Sequence, residues 1–148
     1  MGVRTEEILK NAGWYTGRQV DISGYERLYR QRGYEMWPVL AEFLREFGGV
    51  TASYEWPTKG DESWFEINPA EGLSGTDSSE IARCARTVGE PLTPFGLQDS
   101  VTTLMMSPSG KVYGTMDGYL GLYGNSGEEA LDCLCGERNL IPLRDPRR

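Results

Sequence analysis

Apolar positions recur every three or four residues over the first third of the chain and every second residue just beyond it, a change of period that separates helices from strands. Leu40, Phe43, Leu44 and Phe47 are spaced as one helical face, with Pro38 suited to the first turn and Gly48 and Gly49 to the end. Two weaker helices precede it. Thr5 to Ala12 places Ile8, Leu9 and Ala12 together before Gly13, and a second segment opens on Ser23 and Glu26 at capping-box spacing and closes at Gly33. Val50, Ala52, Tyr54 and Trp56 then alternate with Thr51, Ser53 and Glu55, which predicts a half-buried strand. Pro57 to Glu62 carries turn chemistry, and Ser63 to Asn68 is the returning strand of a hairpin.

Asn68 to Thr76, with Pro69, Gly72 and Gly75, reads as irregular. A helix follows from Asp77, spaced to Glu80 as a capping box, with Ile81, Cys84, Ala85 and Val88 on one face before Gly89. Four strands come next, over residues 92–97, 101–106, 111–116 and 119–123, and their short connections make neighbours antiparallel. A last helix opens on Ser126 and Glu129 and runs through Ala130, Leu131 and Leu134 to Gly136. The expected class is α+β: one domain over residues 1–143, a mainly antiparallel twisted sheet of about six strands with helices packed on it. Residues 144–148 read as a disordered tail. A chain of 148 residues supports one hydrophobic core and not two.

Charge changes the picture more than composition does. The net charge of −7 disfavours direct binding to a phosphate backbone and favours a basic partner or simple solubility. Most of it is local. From Glu55 to Glu80 the acids are Glu55, Asp61, Glu62, Glu66, Glu71, Asp77 and Glu80, against Lys59 alone, so seven acids and one base leave −6. Such a stretch is either a solvated loop or a docking surface that steers a basic protein. Tyr119 and Tyr123 share a strand face beside a glycine-rich turn and serve either sheet packing or binding. Trp14, Trp37, Trp56 and Trp64 read as core and core-edge packing.

Chemistry is bounded by what is missing. The chain has no histidine, which removes Ser-His and Cys-His nucleophiles and the usual general base near neutral pH. No phosphate-binding, dinucleotide, zinc-protease or calcium motif occurs, so no catalytic residue, cofactor or metal is expected. Cys84, Cys133 and Cys135 are odd in number and lack partners for a zinc site, and read as buried small hydrophobes. No apolar run approaches the roughly 20 residues of a membrane span, and Met1 to Lys10 has no apolar signal core, so the expected setting is a cytoplasmic, monomeric protein.

Five short motifs follow one another along the chain: Ala-Gly-Trp-Tyr-Thr-Gly-Arg-Gln-Val-Asp at residues 12–21, Ala-Glu-Phe-Leu-Arg-Glu-Phe-Gly-Gly-Val at 41–50, Val-Gly-Glu-Pro-Leu at 88–92 followed by Pro94, Gly-Lys-Val-Tyr-Gly at 110–114, and Glu-Glu-Ala-Leu-Asp-Cys-Leu at 128–134 before Gly136. Their order and spacing resemble the third subgroup of the SUKH immunity-protein superfamily. The resemblance covers nearly the whole chain. It implies a bacterial α+β domain that binds and neutralises a cognate protein toxin, commonly a nuclease or nucleic-acid deaminase. The superfamily also holds a fungal regulator of cell-wall assembly, so a regulatory or scaffold module on the same fold is the alternative it implies. Trp14 and Phe43 to Gly49 are motif positions expected to serve the fold, and a residue smaller than Phe95 is expected after Pro94.

Overall fold

The computed structural model describes residues 1–55 and 61–145. Within them the chain forms α1 (Val3–Asn11), α2 (Ser23–Arg32), α3 (Pro38–Phe47), β1 (Thr51–Glu55), β2 (Glu62–Ile67), α4 (Pro69–Gly75), α5 (Ser78–Val88), β3 (Thr93–Gln98), β4 (Thr102–Met106), β5 (Val112–Met116), β6 (Tyr119–Gly124), α6 (Gly127–Leu134) and β7 (Ile141–Arg144). The strands form one seven-stranded antiparallel sheet in chain order, β1 to β7. The architecture is the expected single α+β domain, with seven strands in place of about six.

The sheet buries both faces to different depths. On the inner face Phe65, Ile67, Leu104, Met106 and Val112 join Leu9 of α1, Leu40, Leu44 and Phe47 of α3, and Leu131 and Leu134 of α6 in one core cluster. Their three-to-four spacing on the helices meets the period-two spacing on the strands, which is why both patterns are visible in the sequence. On the outer face Ile81 and Cys84 of α5 pack on Met105, Tyr113 and Leu120. Trp14, stacked on Phe47 at 5.9 Å, and Trp37 are buried, and their indole N–H groups donate to Glu46 and to the Met106 carbonyl. Phe95 sits in a β-bulge between Pro94 and Gly96, lies 1% exposed and packs edge-on with Phe43 at 5.3 Å.

Several local expectations are corrected. Residues 69–75 are helical: Asn68 caps α4 by accepting from Ala70 N–H at 3.0 Å, Pro69 occupies the first turn, and Gly72 lies against the backbone of Phe95 and Gly96, where a Cβ would come within 2.6 Å of the Gly96 nitrogen. Ser23 and Glu26 form no capping box, since Ile22 is the cap residue and Asp21 accepts from Ser23 N–H instead. Arg144, read as tail, is the last residue of β7. Its guanidinium reaches the Gly118 carbonyl at 2.7 Å and the Glu80 carboxylate at 2.7 Å. Trp56 to Gly60, and the tail residues 146–148, lie outside the described residues.

The N-terminus of α1 is capped from the far end of the chain. No side chain of its own first turn does so; the Glu137 carboxylate accepts from the N–H groups of Arg4 and Thr5 and from the Thr5 hydroxyl. These bonds, the Thr5 hydroxyl first, hold the carboxyl below its ordinary range. Glu137→Ala is expected to cost about 1 kcal/mol, as for other lost caps. A depressed folded pKa means that the contribution is present above the unfolded value near about 4.3 and fades as pH falls through the folded one. Urea titrations should therefore show the gap between wild type and variant at neutral pH closing in acid.

Candidate functional site

Alternation along β1 and β2 sorts their side chains onto two faces. Ala52, Tyr54, Ser63, Phe65 and Ile67 are buried, which places Thr51, Ser53, Glu55, Glu62, Trp64 and Glu66 on the outer face. Register then sets neighbours: Thr51 lies opposite Glu66, Ser53 opposite Trp64 and Glu55 opposite Glu62. Helices α4 and α5 cover the outer face over β3 to β6. The β1–β2 portion stays open, with Thr51, Ser53, Glu55 and Glu62 exposed and Trp64 and Glu66 half-buried.

Two carboxylates directly across a strand pair repel each other, so the Glu55–Glu62 pair is held at a cost in stability. Among the described residues neither of them, nor Asp61, Glu66 or Glu71, forms an ion pair. Arg4 reaches this region, but its guanidinium is committed to the backbone carbonyls of Glu55 and Cys135. Glu66 accepts from Asn68 Nδ2 at 3.0 Å. Trp64 stands between Glu62 and Glu66 on the same strand face, and its backbone is fixed by the Asp99 carboxylate, which accepts from Trp64 N–H and from the Ser63 hydroxyl at 2.9 Å each. An indole flanked along its strand by two carboxylates is suited to a guanidinium or ammonium group, by ion pairing to the acids and cation–π attraction at the ring.

The remaining candidates are distributed elsewhere. Glu71 is exposed on α4. Asp77 caps α5, accepting from Glu80 N–H at 2.9 Å and from the Ser79 hydroxyl at 2.6 Å, and these bonds, Ser79 first, lower its pKa. Glu80 points back to the sheet, paired with Arg144 at 2.7 Å and Arg83 at 3.6 Å and accepting from the Thr115 hydroxyl. Tyr123 is 5% exposed and its hydroxyl donates to Gln98 at 2.8 Å. Tyr119 is half-buried at the start of β6. The fold thus puts Glu55, Glu62 and Glu66 on one sheet face with Trp64, sets Asp61 just before β2, separates Glu71, and gives Asp77, Glu80 and Tyr123 bonds within the domain. Trp64, expected at the core or its edge, is half-buried on the open face, and alternation sets that orientation, because Phe65 and Ile67 cannot point inward unless Trp64 points out.

The three thiols offer no chemistry at this face. All are buried; desolvation raises Cys84 and pushes Cys133 up to about 11 and Cys135 to about 12. A disulfide reagent at pH 8 is expected to label none of them rapidly in the native chain and all three after denaturation. Fast labelling of one native thiol would contradict this packing. Among the described residues no cluster of three or more His, Cys, Asp or Glu is placed to hold a metal ion, and no helix is long and apolar enough to cross a membrane.

Residues 1–137 match a family model described as SUKH-3 immunity protein. No curated protein and no solved structure matches the chain.

Proposed function

The chain belongs to the SUKH-3 immunity protein family, and from that premise we propose that it binds a cognate protein toxin and neutralises it by occupation, without catalysis. The observation that carries the reading is the family match over residues 1–137. The open acidic face supports a basic toxin, because one-signed patches accelerate encounter with the opposite sign and reject like-charged partners. Nucleases and nucleic-acid deaminases present basic clefts to their substrates, and an acidic inhibitor is matched to that chemistry. The negative balance of the whole chain argues in the same direction against nucleic acid as a direct ligand.

The test is co-expression with the toxin encoded by the neighbouring gene. Growth is expected to be restored, and the two chains should co-elute as a complex. A toxin that stays lethal and elutes separately would leave the regulatory or scaffold role as the better account of this fold.

A further inference from the structure

Chain order and strand order coincide, so the end of β1, the start of β2, the β3–β4 and β5–β6 turns and the end of β7 all lie at one end of the sheet. Three independent features collect there. The first is backbone strain: among the described residues the non-glycine positions with positive φ are Asp99 (52°), Ser100 (65°) and Asp117 (46°), all in the β3–β4 and β5–β6 turns. Each left-handed residue has an energetic cost, and such turns persist where the surroundings hold them, as Ser63 and Trp64 hold Asp99. The second is an exposed apolar row. Val101 is 54% exposed and Met116 37% exposed; Val101 adjoins Thr102, whose hydroxyl meets the Met116 sulfur, and Met116 is paired with Tyr119. The third is charge: Glu55, Asp61, Glu62, Asp99 and Asp117 are exposed, while Arg4 and Arg144, the cations with described contacts at this end, are bound to Glu55, Gly118 and Glu80.

From these we propose that the hairpin-tip end is the surface that enters the partner, with Val101 and Met116 as apolar anchors, Tyr119 beside them, and the acids forming the rim that meets a basic cleft. The occupant is a basic protein, and the inference rests on the toxin-binding reading above. Short turns, three residues between β3 and β4 and two between β5 and β6, present the anchors in defined positions, so binding loses little conformational freedom.

The probe is the toxin encoded by the neighbouring gene, in a catalytically silenced form, measured against wild type and against Val101→Asp and Met116→Asp by surface plasmon resonance. Both substitutions add negative charge, which a basic partner would welcome, so weaker binding can only report the lost apolar anchors. Each is expected to weaken Kd by about 30-fold or more, the scale of an interface hot spot, through faster dissociation. Val101→Ser serves if the aspartate variant does not fold. Wild-type binding with unchanged dissociation in folded variants overturns this surface and leaves the toxin-binding reading standing. Absence of wild-type binding removes both.

Discussion

Lysine at positions 55, 61 and 62 is expected to slow association with the cognate toxin by about ten- to hundredfold at low ionic strength, within the range that electrostatic steering spans. The wild-type residues Glu55, Asp61 and Glu62 are exposed and form no ion pair among the described residues, so their fields reach solvent. Three reversals change the local charge by six, and the effect belongs to the encounter step, so it shrinks as salt approaches a screening length of about 8 Å. The matched control is Glu7→Lys, Glu42→Lys and Glu128→Lys together, on α1, α3 and α6, which alters net charge equally on the helical side. Stopped-flow rates that fall alike for both triple variants would mean that only total charge matters, and the open face would lose its role.

Phe95→Ala is expected to destabilise the fold by about 3–5 kcal/mol, the usual range for a buried aromatic truncated to alanine. Phe43 packs against the ring at 5.3 Å, and the backbone at residues 95 and 96 lies close to Gly72 and to Glu66, which leaves the segment little freedom to close the cavity. The thermal midpoint should drop by about 10 °C. A change under about 1 kcal/mol would show that the bulged segment of β3 can collapse around the vacancy.

Phe95 also illustrates where sequence reading stops. Helices α3, α5 and α6 and the hairpin strands were legible because their apolar spacing answers to one local period. Helix α4 was not, since Pro69, Gly72 and Gly75 are locally the residues of a break. Gly72 is there for a distant reason, the close approach of the β3 backbone at Phe95 and Gly96. Strand β7 was hidden likewise: Ile141–Arg144 has no alternation and contains Pro142, and its anchor, the Arg144–Glu80 pair, joins residues 64 apart. The acidic stretch was visible as a run, but a run is not a surface. Folding divides it, leaving Glu55, Asp61, Glu62 and Glu66 on one sheet region and turning Glu80 toward Arg144. Tyr119 and Tyr123 share a strand face, yet a bulge and the Gln98 contact bury the second and leave the first partly open.

The coincidence of chain order with strand order has a consequence for how such a gene diverges. Each turn at the open end joins immediate neighbours, so exchanging residues 99–101 or 117–118 alters one hairpin and no crossover. The inner layer packs α1, α3 and α6 on the sheet through its own core cluster, to which residues 99–101 and 117–118 do not belong. On the proposal that these tips meet the partner, descendants of one ancestor acquire new partners turn by turn, by drift at the rim, while inheriting the same interior.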